Sequence, residues 1–234
     1  SGHLHYQRNF DHTLSSSPHK IYEHAQAAVD GASWTSNING DGVPNGYGVY
    51  IFDGNTIKDW YYKGYPYGMD TRDYQIRLYR GDLKCGNVDK SKTFNLQHGS
   101  NVILANVFNA DSSWKVEIFE DGVSAGLMQA MTARKYSPTS DTYKIGTSYP
   151  VKPPTDSSQD WWSIAYHISI IGRSGTSGSY HTACYHMYKH TLKNPNAKSI
   201  RVEATDRFGR KYTCSEVVEN CTTNKALYPY EYWN

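Results

Sequence analysis

Residues 46–64 read GYGVYIFDGNTIKDWYYKG, and this stretch has the pattern of a β-hairpin. Two runs rich in Val, Ile, Tyr and Trp, at residues 47–52 and 57–62, flank an Asp-Gly-Asn sequence at residues 53–55. Asp, Gly and Asn readily adopt the positive φ angles that tight turns between antiparallel strands require. The stretch therefore predicts two antiparallel strands joined by a tight turn.

A second hairpin pattern lies at residues 113–128, SWKVEIFEDGVSAGLM. Val116 and Ile118 alternate with charged residues ahead of a turn at Asp121 and Gly122. This alternation predicts a strand with one buried face and one wet face.

Short strand-forming runs separated by turn residues continue through the rest of the chain. The stretches SYHTACYHMYKH, residues 179–190, and KSIRVEATDRFGRKYT, residues 198–213, each predict a strand, the second ending at a turn around Gly209. Residues 135–159 and the sequence GRSGTSGS at 172–179 predict long surface loops because of their Ser, Thr, Gly and Pro content. The sequence thus predicts a mainly β protein.

Charge and hydropathy exclude two classes of partner. The 234 residues contain 24 Lys plus Arg and 22 Asp plus Glu, and the scattered basic residues indicate no nucleic-acid partner. No apolar stretch approaches the roughly 20 residues that span a bilayer, so no membrane span is predicted. The cysteines form no CxxC pair, which argues against a zinc ribbon and leaves their disulfide state open; they are Cys85, Cys184, Cys214 and Cys221.

His3 and His5 are the candidate metal ligands of the sequence. Residues two apart in an extended segment point the same way, so both imidazoles can face one site. Neutral imidazole suits zinc, iron or manganese. Two exposed histidines in a frayed terminus are the plain alternative, and the pattern alone leaves both open.

A second group of potential ligands, between residues 181 and 190, does not predict a metal site. In an extended strand Cys184 and His186 share a face while His181 points to the other. A helix would bring His186 and His190 together without Cys184. We interpret this stretch as a half-buried strand with a small buried thiol.

Three other patterns also have structural explanations. The glycines of GDGVPNGYG lie between strand signals and predict turns without a bound phosphate. Aromatic residues in WYYKGYPYGMDTRDY, residues 60–74, can stack on sugar rings, but packing in the core is the favoured interpretation. Carboxylate pairs such as Glu117 and Glu120 are typical of solvated faces.

The residues Gly2, His3, Leu4 and His5 match the GHxH motif of the calcineurin-like metallophosphoesterases, a family that the chain resembles from Ser1 to about Val218. The stretches IYEHAQAAVDGASW, DGVPNGYGVYIFDGNTIKDWYYK, DYQIRLY, SWKVEIFEDG and VEATDRFGRKYT are similar to the C-terminal domain of one bacterial branch of that family. DGxPNGY and ATDRFG are the more specific matches. The resemblance implies that His3 and His5 are ligands of different divalent metal ions in a dinuclear centre.

The other ligand motifs of that family, DxH, GDxxD and GNHE or GNHD, do not occur in this sequence. GDGVP at Gly40 and GDLKC at Gly81 lack the second Asp, while GNT and GNV lack the His. Two imidazoles without carboxylate partners should not hold a dinuclear centre. We therefore expect this chain alone to contain no catalytic or cofactor-binding residues and to be inactive.

The resemblance implies a division of the chain into three parts. Residues 1–33 are expected to be the C-terminal remnant of a phosphoesterase domain, residues 34–218 its C-terminal β domain with an immunoglobulin-like sandwich, and residues 219–234 an irregular tail. The implied partner is the N-terminal phosphoesterase domain of the same polypeptide, and the implied substrate is a phosphate ester, monoester or diester. A bacterial periplasmic, cell-envelope or secreted setting is implied, with metal identity and oligomeric state left open.

The favoured function is therefore that of the C-terminal part of a metal-dependent phosphohydrolase. The alternative is a non-catalytic β-sandwich binding module for carbohydrate or a cell-surface partner, for which the aromatic stretch at residues 60–67 is the main support. A third possibility is a purely structural β domain that stabilises its neighbour or mediates oligomerisation without a small ligand.

Overall fold

The mainly β fold is confirmed by the computed structural model of the protein. The structure describes residues 5–13, 20–32, 36, 38–64, 72–85, 94–95, 98–131, 160, 162–163, 167 and 182–220. Those residues form the strands β1 (Arg8–Thr13), β2 (Lys20–Ala25), β3 (Gly46–Asp53), β4 (Thr56–Gly64), β5 (Ile76–Cys85), β6 (Phe94–Asn95), β7 (Val102–Val107), β8 (Lys115–Glu120), β9 (Val123–Leu127), β10 (Gln129–Ala130), β11 (Met187–Thr191), β12 (Ile200–Thr205), β13 (Lys211–Cys214) and β14 (Val217–Asn220).

Both predicted hairpins are present. β3 and β4, the first predicted hairpin, pair antiparallel across a turn in which Gly54 has a φ of +57°. Apart from the two predicted hairpins, β1 and β2 also pair antiparallel. β8 and β9 pair across Asp121 and Gly122, whose φ angles are +50° and +82°. Two successive positive φ angles match the twist of the flanking strands, which explains why the turn closes there.

The remaining strands form two sheets. The central sheet has the order β10, β11, β7, β5, β14, with β6 also paired to β5, and the outer sheet has the order β13, β12, β8, β9. β14 runs parallel to β5, whereas the other described pairs of the two sheets are antiparallel. The strand predicted in residues 179–190 is present only in its last part, since β11 begins at Met187 and residues 182–186 precede it. The strand predicted in residues 198–213 is β12, with β13 after the turn at Gly209, whose φ is +81°.

A continuous apolar core lies between the central and outer sheets. Because side chains alternate along a strand, every second residue of each sheet points into it. The core residues contributed by these strands are Ile76, Leu78, Ile103, Ala105, Val107, Val116, Ile118, Ala125, Tyr188, Ile200, Val202, Ala204 and Tyr212. This face-to-face packing makes the domain a β-sandwich, as predicted.

The opposite face of the central sheet is also buried. Arg77 on β5 pairs with Asn106 on β7, and both side chains point away from the sandwich core. β7 is buried at all six positions, from Val102 to Val107, so both of its faces are covered. The segment around Asp41 and the residues Asp160 and Trp162 contact this second face.

Several predictions lie outside the described residues or stay untested. The loops at 135–159 and 172–179 belong to the part of the chain that is not described. β14 extends into the start of the predicted tail, and the domain boundaries at residues 33 and 218 stay predictions. Among the described residues, no helix combines the length and the apolar character needed to cross a membrane.

Candidate functional site

His5 is the sequence-predicted metal ligand that the structure describes, whereas His3 lies outside the described residues. The His5 ring is largely buried, and its Nδ1 lies 2.6 Å from the carbonyl oxygen of Gly31 and 3.8 Å from Oδ1 of Asp30. A carbonyl oxygen only accepts, so Nδ1 carries the proton and Nε2 carries the lone pair of the neutral ring. This is the tautomer and the carbonyl bond typical of histidines that bind a metal through Nε2, so the His5 side chain fits that role.

The backbone immediately after His5 is held by buried hydrogen bonds. The amide of Gln7 donates to Oδ2 of Asp41 at 2.6 Å, and the Gln7 side chain donates to Oδ1 of Asn109 at 2.7 Å. The Gln7 side-chain oxygen accepts from the amide of Ala27 at 3.0 Å, and Gln7 is fully buried. Residues 5–9, which we call the anchored segment, are thereby tied to the loop around Asp41 and to the end of β7.

Asp41 belongs to a polar cluster on the second face of the central sheet. The side-chain amide of Asn106 donates to the backbone carbonyl of Asp41 at 2.8 Å and to Oδ2 of Asp160 at 2.6 Å. Oδ2 of Asp160 also accepts from the hydroxyl of Tyr79 at 2.7 Å. All members are at most 4% exposed, and we define the polar cluster as Asp41, Arg77, Tyr79, Asn106, Asp160 and His186.

Arg77 supplies the buried positive charge of this cluster. Its Nη1 donates to the Gly42 carbonyl at 2.6 Å, and its guanidinium lies 4.1 Å from the centre of the Trp162 ring. Burial raises the pKa of Asp160, and the charge of Arg77 and the hydrogen bonds to the carboxylate oppose that effect. Burial also raises the pKa of Tyr79 well above its ordinary value, so its hydroxyl stays a donor to Asp160.

His186 joins the two halves of the cluster. Its Nδ1 donates to Oδ1 of Asn106 at 2.7 Å, and its Nε2 lies 3.1 Å from Oδ2 of Asp41. The Cys184 sulfur lies 3.5 Å from Nδ1, so the two side chains are on the same side, although both residues precede β11 and do not belong to the strand that the sequence predicted for them. Burial raises the pKa of the Cys184 thiol well above its usual range, which makes it a packing group.

The other potential ligands of that stretch do not join His186. His190 lies on β11, which begins after His186, and its Nε2 is 3.1 Å from Oε1 of Glu120. His181 is outside the described residues. Within the described ranges, no group of three or more His, Cys, Asp or Glu side chains is arranged to hold a metal ion.

A chain of hydroxyl and imidazole groups lies beside the polar cluster. Oγ of Ser36 is 2.7 Å from Nε2 of His167, and Oγ of Ser163 is 3.3 Å from its Nδ1. The Ser163 hydroxyl also donates to the carbonyl of Asn39 at 3.1 Å. Ser163 and His167 are fully buried and Ser36 is nearly so, so these groups connect the loop to the core and are closed to a substrate.

The remaining predicted patterns have structural roles where they are described, but the solvated face expected for the carboxylate pair is wrong for Glu120, which is buried. Trp60 and Tyr62 are buried, which confirms packing for this part of the aromatic stretch. Glu117 accepts a hydrogen bond from Ser124, and Glu120 accepts from the amides of Lys193 and Asn194 at 2.9 and 2.6 Å.

Sequence reasoning did not identify the polar cluster. Asp41 lies in the Gly-rich stretch that predicts turns, and Gly42 does adopt a φ of +82°. The carboxylate of Asp41, however, binds residues that are distant in the sequence. The one feature of the local sequence that indicates the polar cluster is Arg77, a charged residue between apolar ones in the strand sequence QIRLY. A charge within an apolar run indicates a buried partner without identifying it.

The family model described as the C-terminal of calcineurin-like phosphoesterase matches residues 23–212 of this chain. The matched range includes the loop around Asp41, the strands from β3 to β12 and every member of the polar cluster, and it ends within β13, before β14. No curated protein and no solved structure matches the chain.

Proposed function

The chain belongs to the family of C-terminal domains of calcineurin-like phosphoesterases, and on this basis we propose that it acts as the C-terminal part of a metal-dependent phosphohydrolase. The family implies an N-terminal phosphoesterase domain as partner and divalent metal ions in the parent enzyme. The match over residues 23–212 is the observation that carries the proposal.

The geometry around His5 supports a role for this chain in positioning metal ligands. His3 and His5 are the proposed ligands, and the Gly31 carbonyl keeps the proton of His5 on Nδ1. Two residues later, the amide and side chain of Gln7 are held by Asp41, Asn109 and Ala27. Since a ligand must be held close to its productive geometry, the sandwich would serve as the support that orients the His5 ring.

The metal ions would supply the chemistry, and this chain would supply orientation. When bound, divalent metals provide Lewis acidity that activates water and stabilises negative charge on the phosphoryl oxygens. This chain lacks the DxH, GDxxD and GNHE or GNHD motifs. We therefore propose that it is inactive alone, that the N-terminal domain provides the other ligands, and that the enzyme works in the bacterial periplasm or cell envelope, or after secretion.

The test compares this chain with a longer polypeptide that joins it to the N-terminal phosphoesterase domain. We expect the longer protein to contain about two metal ions per chain and to hydrolyse a generic phosphate ester, whereas this chain does neither. His5→Ala in the longer protein should lower both metal content and turnover. His190→Ala is the matched control, since His190 binds Glu120 on the sandwich.

Two results would overturn the proposal. Turnover by the 234-residue chain alone would mean that a complete site exists within it. A longer protein whose metal content and turnover are unchanged by His5→Ala would remove His5 from the metal centre.

A further inference from the structure

Two of the four cysteines stand at the ends of neighbouring parallel strands. Cys85 is the last residue of β5, and Cys221 is the residue that follows Asn220, where β14 ends. β14 runs parallel to β5, and Asn220 lies opposite Lys84 in their register. The next position along each chain is therefore a cysteine, and Cys221 is itself outside the described residues.

The spacing of paired strands suits a disulfide at this position. Neighbouring strands of a sheet lie about 4.8 Å apart, and consecutive Cα atoms are about 3.8 Å apart. A chain that continues in register for one residue beyond Asn220 would bring the Cα atom of Cys221 to about 5 Å from that of Cys85. Disulfides join Cα atoms that are roughly 4.4 to 6.8 Å apart, so this pairing would require no movement of the sheet.

Cys184 lies in another part of the central sheet. It is fully buried, with its Sγ 3.5 Å from Nδ1 of His186. It precedes β11, and β7 separates β11 from β5 in the strand order. Cys184 is a free thiol, as is Cys214.

Cys214, the cysteine nearest to Cys221 in the sequence, lies at the opposite end of β14. It ends β13 in the outer sheet, and its Sγ donates to the Glu216 carbonyl at 3.7 Å. Glu216 directly precedes β14, whereas Cys221 follows it. The residues of this strand span about 10 Å, which is more than the Cα separation that a disulfide allows.

β14 is a strand that a covalent bond would hold in place. It lies at one edge of the central sheet, and its register against β5 is interrupted between Val218 and Asn220. Val218 is buried, and Val217 packs against the apolar core. Loss of β14 would therefore uncover part of the core and the backbone groups of β5.

We propose that Cys85 and Cys221 form a disulfide that fastens β14 to β5, while Cys184 and Cys214 stay reduced. A small disulfide such as oxidised glutathione supplies the oxidant. One thiolate attacks it and releases one glutathione, and the second thiolate then attacks the mixed disulfide and releases the other. The two cysteines lose two electrons and two protons in all, and these convert oxidised glutathione to its two thiols.

This bond does not depend on the metal centre, because both cysteines belong to the 234-residue chain. Disulfides persist in oxidising compartments such as the periplasm and the extracellular space. The bond would therefore agree with the proposed setting of the enzyme. A chain that stays reduced under oxidising conditions would leave the proposed phosphohydrolase function untouched.

The experiment counts reactive thiols in the 234-residue chain after incubation with oxidised glutathione. The protein is unfolded and alkylated with N-ethylmaleimide in one step, with or without prior reduction, and is then digested for mass spectrometry. We expect alkylation of Cys184 and Cys214 alone without reduction, and of all four cysteines after it. The unreduced digest should contain a peptide pair that joins Cys85 to Cys221.

Serine replacements test the bond and its effect on stability. Cys221→Ser should leave Cys85 reactive without reduction and lower the melting temperature of the oxidised protein by roughly 5 °C. Cys85→Ser should lower it by the same amount, and the double replacement should lower it no further, because each change removes the same bond. Cys214→Ser is the matched control and should keep the cross-linked peptide pair.

The contrary results are equally defined. Four reactive cysteines in the oxidised chain without reduction would overturn the proposal. A peptide pair that joins Cys221 to Cys214, or Cys85 to Cys184, would overturn the assignment of partners. If a serine variant fails to fold, the thiol count of the native chain still decides, since it requires no replacement.

Discussion

The two faces of the central sheet are built by the same strands but are held in different ways. Leu78 and Ala105 point into the sandwich, where burial of apolar surface provides the stability. Arg77 and Asn106, their neighbours in sequence, point to the other face and bind Gly42, Asp41 and Asp160. The apolar face tolerates exchange of similar side chains, whereas each polar group requires a particular partner.

The largest expected effect is the difference in stability between one replacement on the polar face and one on the apolar face. Arg77→Met leaves Asp160 buried without the charge that opposes its desolvation, and should lower the free energy of unfolding by about 3 kcal/mol or more. Leu78→Met keeps the volume of the apolar core and should cost below about 1.5 kcal/mol. Urea unfolding of the two variants measures the difference, and equal losses would mean that the polar face is no more demanding than the apolar one.

A glycine pair with the same backbone conformation tests close packing at the polar cluster. Gly42 and Gly122 both have a φ of +82°, so Ala at either position meets the same backbone strain. A Cβ on Gly42 would overlap the Asp160 carboxylate, whereas nothing lies within 4 Å of one on Gly122. We expect Gly122→Ala to cost about 1 kcal/mol and Gly42→Ala about 2 kcal/mol more.

Thermal or urea unfolding of the two glycine variants provides the comparison. Similar stability of Gly42→Ala and Gly122→Ala would show that the loop moves away from Asp160 at little cost, and the cluster would then be less rigid than its geometry indicates.

The smallest expected effect lies at the rim of the apolar core and depends on pH. Burial acts to raise the pKa of Glu120, but bonds from the amides of Asn194 and Lys193 and from His190 bring this pKa below its ordinary value. Because the pKa of Glu120 is lower in the folded protein, its ionised carboxylate stabilises the fold at pH values above the unfolded pKa of about 4.5. This stabilisation is lost as the pH falls through the pKa of the folded state.

Glu120→Gln should therefore destabilise the protein by about 1 kcal/mol near neutral pH, and the difference should vanish in acid. Unfolding of the native chain and the variant between pH 3 and 7 measures this, with Glu117→Gln on the same strand as control. A difference that stays constant across this range would show that the charge of Glu120 plays no part.

The apolar face was predictable because its information is local. The alternation around Val116 and Ile118 and the turn at Asp121 and Gly122 are visible within 16 residues, and the structure confirms them. The β-sandwich class and the family also followed from the sequence.

The polar face was not predictable because its partners are far apart in the chain. Asp41 and His186 are separated by 145 positions, and Tyr79 and Asp160 by 81. No periodic pattern relates such residues, and a Gly-rich stretch around Asp41 has turn formation as a sufficient explanation. The ligand role of His5 rests on the resemblance, to which the structure adds the bond between Nδ1 and Gly31.

The polar face of the central sheet holds the segment that follows His5. Amide hydrogen exchange at Gln7 tests it most directly, because this amide donates to Asp41 in the buried interior. We predict that the Gln7 amide is strongly protected in the native chain and loses that protection in Asp41→Ala, while the amide of Ile118 in the sandwich core stays protected. A Gln7 amide that exchanges rapidly in the native chain, or that stays equally protected in Asp41→Ala, would show that Asp41 does not hold this segment.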